Sequence, residues 1–330
     1  MNGRSILRDV AEAAGVSLRT ASRVLNDDHR VAVETRRRVQ EAMLELQFQP
    51  DAMARSLRAG TDATIGLIVE SVADPFFSAL IEAVETAATT AGLSVLVAST
   101  HRDSAAERRI VDRMLQRRVA GLLIAPTGDD HSWLARTSTS VVFVDRGADG
   151  PETDLVGIDD HGAAATAVSH LLSHGHRQIG YVGDTPAIAT SRARLAGYRD
   201  ALAGHGVSVS SQLIRSDCAT VASAASATAA LLDLADPPTA ILSAATRCSL
   251  GVVPTLHAQG RTDIALVGFG DFAMADTLRP AVTVIDHSAA EVGRAAAARL
   301  LARIADPALA AEHIQLPVRL IERGSGEQRP

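Results

Sequence analysis

Residues 15–27 read GVSLRTASRVLND, that is Gly15-Val16-Ser17-Leu18-Arg19-Thr20-Ala21-Ser22-Arg23-Val24-Leu25-Asn26-Asp27. Glycine tolerates positive φ and breaks a helix, and a serine hydroxyl can accept an orphan backbone N–H at a helix start. The segment therefore predicts a tight turn, an N-cap at Ser17 and a helix to about Leu25. Ala21, Val24 and Leu25 take one face, and hydroxyls and arginines take the other. Alone, that pattern suits any solvated amphipathic helix, so its neighbours decide. Upstream, Ile6 to Ala14 predicts a helix with Ile6, Val10 and Ala13/Ala14 on one side. Downstream, Asn26-Asp27-Asp28 is a loop, and Glu34 to Leu46 predicts a third helix with Val39, Met43 and Leu46 inward. Helix, tight turn, helix, loop, helix is the helix-turn-helix plan.

The chain has 330 residues, enough for two or three domains at roughly 150 residues each, and 47% of it is hydrophobic, ample for sizeable cores. Cys218 and Cys248 are too few for a disulfide framework and lack metal-ligand spacing, which fits a reducing cytoplasm. No signal-peptide-like run and no stretch of about 20 apolar residues is present, so a membrane span is not expected. The net charge of −6 argues against a protein that coats nucleic acid generally. Its distribution is uneven. Residues 1–60 hold ten Arg against eight Asp or Glu, and the remainder holds 22 Arg against 30 acids. That is a weakly basic head on an acidic body.

Pro50 interrupts the helical pattern, residues 51–58 (DAMARSLR) fit two turns of helix, and Gly60-Thr61-Asp62 reads as a linker. From Ala63 strands and helices alternate. TIGLIVE (64–70), LSVLVAS (93–99), AGLLIAP (120–126) and SVVFVD (140–145) are strands, with helices at 75–92 and 105–118 between them. The pattern restarts at Asp160, with strands QIGYVGD (178–184), TAILSA (239–244) and IALVGFG (264–270) among helices at 162–174, 191–204, 221–234 and 249–259. Continuous apolar runs separated by helices mean parallel sheets covered on both faces. Two successive halves of similar size suggest two doubly wound lobes facing each other across a cleft.

From end to end the chain resembles the lactose/galactose-repressor (LacI/GalR) family of bacterial transcription regulators. The matching segments are DVAEAAGVSLRTASRVLN (9–26), TRRRVQEAMLEL (35–46), QPDAMARSLR (49–58), TIGLIVESVADPFFSALIEAVE (64–85), RRVAGLLIAP (117–126), HLLSHGHRQIGYVGD (170–184), RLAGYRDAL (194–202) and LPVRLIERGS (316–325). The resemblance implies a multidomain chain. An all-α helix-turn-helix head (1–48) and a hinge helix with linker (49–61) precede an α/β two-lobed, periplasmic-binding-protein-like effector and dimerisation domain (62–330). Its first lobe would hold about 62–160 and 289–311, and its second about 161–288 and 312–330.

In such a head the second helix lies in the major groove. Leu18 and Arg19 stand where the family chooses bases, with Arg23 third. Arginine can fork onto guanine O6 and N7, worth roughly 1–3 kcal/mol of discrimination. Leu18 can only read a thymine methyl or exclude polar edges. Ser17, Thr20, Ser22 and Asn26 suit phosphates, which position the helix. Arg30, Thr35, Arg36 and Arg37 can meet the backbone at the third helix start. Ala32 and Ile6 replace hydroxyls common in the family. In the hinge, a helix this short is marginal alone, and the resemblance implies folding against its dimer mate in the minor groove. Leu57 would be the wedge that partly unstacks DNA, Ala54 would permit close approach, and Arg55 and Arg58 would flank phosphates. Asp51 replaces the usual Asn and brings a negative charge near phosphate.

For the body the resemblance implies a small molecule between the lobes. Phe76 and Phe77 match an aromatic pair at a helix start. Asp145 and Arg146 follow a strand, Asp159 ends the next, Thr190 sits one turn before the ligand-binding arginine Arg194, and Thr246 and Asp271 belong to the second lobe. There the chain departs from sugar-binding members. Ala245-Thr246 replaces Asn-Asp, and Gly270 replaces an Asp. With two acceptors for sugar hydroxyls missing, the expected effector is not a plain neutral sugar bound in the usual way; either Arg247 is a candidate partner for an anion or the site is degenerate.

Two rival functions are weaker. An enzyme would need a constellation, but the histidines (His101, His131, His161, His170, His174, His176) are scattered, with no nucleophile order, metal spacing or phosphate loop, and no cofactor is implied. HGHR (174–177) closes a helix and reads as structural. A transporter's solute-binding protein shares the two lobes but would carry a signal peptide and no DNA head. Two half-sites imply a homodimer, with apolar helix faces at 78–91 and near 249–259 as candidate surfaces, and the leucine heptads that tetramerise some members are absent.

Overall fold

The computed structural model describes residues 7–25, 30–46 and 62–330, and the chain divides between Ala63 and Thr64 into two compact units. The first holds α1 (Leu7–Ala13), α2 (Leu18–Leu25) and α3 (Val33–Glu45). Val10, Ala11, Ala14, Ala21, Val24, Val39 and Ala42 form its small core. Gly15 has φ +63°, the left-handed geometry that the turn between α1 and α2 needs. Ser17 Oγ accepts the Thr20 N–H at 3.1 Å and caps α2. Asn26 and the hinge residues Ala54, Arg55, Leu57 and Arg58 lie outside the described residues.

The second unit runs β1 (Asp62–Val69), α4 (Pro75–Thr90), β2 (Ser94–Ser99), α5 (Ser104–Gln116), β3 (Val119–Ile124), β4 (Ser140–Asp145), β5 (Asp154–Ile158) and α6 (Asp160–Ser173). It continues through β6 (Ile179–Val182), α7 (Ala189–Gly204), β7 (Ile214–Arg215), α8 (Val221–Leu232), β8 (Ala240–Ser243), α9 (Thr246–Ala258) and β9 (Ala265–Phe269). The alternation read from the sequence ends there. The structure adds β10 (Thr283–Asp286), α10 (Ala289–Ala305), β11 (His313–Leu316) and β12 (Arg319–Ile321).

These strands form two six-stranded sheets, ordered β11-β5-β4-β3-β1-β2 and β12-β10-β9-β8-β6-β7. Central strands such as β6 (IGYV) and β9 (ALVGF) are buried throughout, as strands covered by helices on both faces must be. One edge departs from the expected all-parallel arrangement, because β12 pairs antiparallel with β10. The chain crosses between lobes after β5, after β10 and between β11 and β12. The expected boundary at residue 312 needs correction, since β11 pairs in parallel with β5 and so belongs to the first sheet.

The apolar helix faces expected as dimer surfaces are largely covered within the chain. Leu80, Val84 and Ala88 of α4 are buried in a core shared with Val292, Ala296 and Ala297 of α10. Gly293 makes that packing close, because a Cβ there would meet the Leu80 carbonyl oxygen at 2.6 Å. In α9, Val252, Val253 and Leu256 share a core with Ala224, Leu231 and Leu232 of α8.

Candidate functional site

On the head, α2 turns Ala21 and Val24 into the core and leaves Ser17, Leu18 and Arg19 exposed, with Thr20, Ser22 and Arg23 half-buried. Leu18 is 47% exposed, a large apolar side chain with no core to join, at the start of a capped helix. Arg30 is exposed and Thr35 half-buried. Arg37 is exposed and pairs within its own helix, donating to Glu34 and, at 2.7 Å, to Glu41.

In the body, side chains that follow the C-terminal ends of the parallel strands converge between the lobes, the place where open α/β sheets bind ligands. Seven of the nine expected effector residues line one cleft: Phe76, Phe77, Asp145, Arg146, Thr190, Arg194 and Thr246. The sequence DPFF explains the aromatic pair. Asp74 caps α4 by accepting the Phe76 N–H at 3.0 Å, and Pro75 occupies the first helical position. Phe77 is buried in the core, 5.2 Å edge-to-face from Phe76.

Arg194 is fully committed on one side. Its Nε donates to Asp160 at 2.7 Å, its Nη1 to the Ala244 carbonyl at 2.9 Å, and its guanidinium lies 3.8 Å over the Phe269 ring. Burial pushes the Asp160 carboxyl up to about 6, although Arg194 pulls the other way. Arg146 donates to the Pro126 carbonyl at 2.8 Å and to Asp145 at 2.8 Å, and its Nη2 lies 3.4 Å from Glu70. Asp145 holds φ 68°, a strained conformation for a residue with a Cβ, and burial raises its carboxyl above the usual range.

Two of the expected residues do not line this cleft. Asp159 is exposed and caps α6 by accepting the Gly162 N–H at 2.9 Å, and it is the next residue, Asp160, that turns inward to Arg194. Asp271 does not line the cleft. It is exposed and held by Arg323 through two hydrogen bonds of 2.8 and 2.6 Å. Arg247, the candidate anion partner, donates to Asp74 at 3.0 Å and lies 3.0 Å from Glu70 and 3.7 Å from Asp184.

Six cleft residues were not singled out in the sequence: Glu70, Asp74, Asp184, Ile188, Ser191 and His287. His287 follows β10, stacks on Phe76 at 5.1 Å with ring planes 23° apart, and has a buried Nδ1 without a hydrogen-bond partner. Burial, reinforced by Arg194, pushes its imidazole down to about 3, so it is neutral at ordinary pH. Gly270 makes room for this group. A Cβ there would run into Thr246 Oγ1 and come within 3.1 Å of His287. A side chain at this position would require Thr246 and His287 to shift.

Comparison with known proteins agrees with this anatomy. The model of "Bacterial regulatory proteins, lacI family" matches residues 6–51, and that of "Periplasmic binding proteins and sugar binding domain of LacI family" matches residues 62–324. The chain belongs to the LacI family of bacterial regulatory proteins. It is 31% identical over 303 residues to the HTH-type transcriptional regulator GalR of Escherichia coli K12, covering 90% of this chain and 88% of that protein. It is 30% identical over 330 residues to the HTH-type transcriptional repressor CytR of the same organism, covering 98% and 97%. Among solved structures it is similar to the lac repressor dimer bound to operator and the anti-inducer ONPF, with TM-score 0.88, 28% identity and coverage of 98% and 99%. It is also similar to the transcriptional regulator CelR–cellobiose complex, with TM-score 0.72, 27% identity and coverage of 98% and 100%. These relatives are regulators, and this chain is a DNA-binding transcriptional regulator with an effector domain rather than an enzyme. Among the described residues, no helix is long and apolar enough to cross a membrane.

Proposed function

We propose that this chain is a cytoplasmic repressor that binds a pseudo-palindromic operator as a homodimer and is controlled by a small molecule between its lobes. The observation that carries the DNA reading is α2, a capped helix whose first side chains, Leu18 and Arg19, stand exposed away from the head's core. Arg23 would be the third base-reading residue, Ser17, Thr20, Ser22, Asn26, Arg30 and Thr35 would hold the backbone, and the segment 49–61 would act as hinge, with Leu57 as the wedge beside Ala54, Arg55 and Arg58. The test is operator and random-DNA binding by fluorescence anisotropy. Leu57→Ala should weaken operator binding much more than binding to random duplex, and an equal loss on both would contradict the wedge.

Phe76, Asp145, Arg146, Thr190, Arg194 and Thr246 form the effector cleft in this reading. Two acceptors common in sugar-binding members are missing, since Ala245 and Gly270 stand in their places. Arg247 faces three carboxylates, so an anionic effector would meet repulsion there. The cleft suits a neutral or cationic molecule rich in hydrogen-bond donors, other than a plain hexose. Calorimetric titration should show no micromolar binding of a plain hexose, and such binding would overturn this assignment.

A further inference from the structure

The turn after β2 carries an unusual backbone. His101 and Arg102 are consecutive residues, neither a glycine, with φ of 51° and 67°. Left-handed backbone is unfavourable for any residue with a Cβ, and it persists only where surrounding contacts hold it. Here the His101 N–H donates to the Glu70 carbonyl at 2.9 Å, and further contacts come from the Arg102 guanidinium. Its Nε donates to Glu70 at 2.8 Å, its Nη1 to one oxygen of Asp184 at 2.7 Å, and its Nη2 to the other. Glu70 follows β1 in the first lobe, and Asp184 follows β6 in the second. The forked pair therefore joins the lobes, in the geometry that makes arginine–carboxylate contacts strong and specific.

A second crossing runs in the opposite sense. Arg247, at the start of α9 in the second lobe, reaches Asp74 and Glu70 in the first, each at 3.0 Å. Each lobe thus offers a guanidinium to the other's carboxylates, and Glu70 is shared. The Asp184 and Arg102 side chains are only 8% and 21% exposed, so solvent screens them poorly. Arg192 and Asp129 also pair across the lobes at 2.7 Å, but both are exposed, and such pairs contribute little.

We propose that Arg102 is a positioning residue for the switch: with Asp184 it latches the lobes together through the chain's own charges, and so sets the lobe-to-lobe equilibrium on which an effector acts. The regulatory part of this rests on reading the interlobe cleft as the effector site; the latch itself does not. A ligand moves such an equilibrium only by its differential affinity for the two states, and the latch sets the starting population.

The test is a lobe-to-lobe distance in the full chain, by double electron–electron resonance. Spin labels would be placed at Arg117→Cys in the first lobe and Gln259→Cys in the second, both exposed, with labelled chain diluted in unlabelled chain. The latched protein should give one narrow distance. Arg102→Gln should increase a longer, broader population several-fold, and Arg102→Asp more so. The exchanged pair Arg102→Asp with Asp184→Arg should return the narrow distance. An Arg102→Gln protein that melts cooperatively yet keeps the narrow distance would overturn the latch, as would a folded exchanged pair that stays open. Operator binding by the same variants reports separately. An operator affinity indifferent to lobe distance would contradict the cleft's role in the switch and leave the latch standing.

Discussion

In the head, Arg19 stands exposed beside Leu18 at the start of a capped helix. In the body, Arg102, Arg146, Arg194 and Arg247 each meet at least one carboxylate. The same side chain serves two purposes. An exposed guanidinium contributes little to the fold and keeps its donors for base edges. A buried one is bound up with the fold, because its charge and its partner's are tolerable only together. Substitutions should separate these cases. Removing the buried Arg194 should damage the fold, whereas removing Arg19 should damage only its choice of DNA.

Arg194→Met should show the largest effect. It leaves Asp160 buried without its partner, and breaking a buried pair costs about 3–5 kcal/mol, toward the low end if Asp160 takes up a proton. Chemical denaturation of wild type and variant measures this directly. An unchanged midpoint would mean that the cleft network is not holding the fold.

His287→Gln should show a smaller, pH-dependent effect. The folded state keeps the imidazole neutral down to about 3, whereas the unfolded chain takes up a proton near 6.5. The unfolded state therefore binds more protons between those values, and stability falls as pH drops from about 6.5 toward 3. Asp160 works in the opposite direction. Its folded value of about 6 exceeds the ordinary carboxylate value of about 3.8, so its ionisation costs stability as pH rises between them. The His287 shift is the larger, and thermal melts at pH 7 and pH 4 should differ less in His287→Gln than in wild type. Equal acid sensitivity in the two proteins would remove His287 from this account.

Much of this was legible because local chemistry decided it. Gly15 and Ser17 announce a turn and a cap by residue type, and DPFF announces a helix start that throws Phe76 toward the cleft. The strands were legible as apolar runs between helices. What escaped depended on tertiary detail. Asp159 and Asp160 are adjacent acids, and only the phase of the strand end decides which one caps a helix and which turns inward. Asp271 is captured by Arg323, 52 positions away, which no local pattern shows. The left-handed pair His101-Arg102 contains no glycine to betray it, and His287 is a lone histidine whose meaning comes from Phe76 and the space left by Gly270. The hinge assignment rests on resemblance alone.

The claim that the head reads an operator through α2 is tested most directly by selecting bound sequences from random duplex DNA with the wild-type chain and with Arg19→Ala. The wild type should recover an inverted repeat of two half-sites. Arg19→Ala should keep the repeat and its spacing, lose about 1–3 kcal/mol of preference at one base pair in each half-site, and melt as the wild type does. Recovery of no symmetric sequence, or an unchanged preference at every position in the variant, would contradict it.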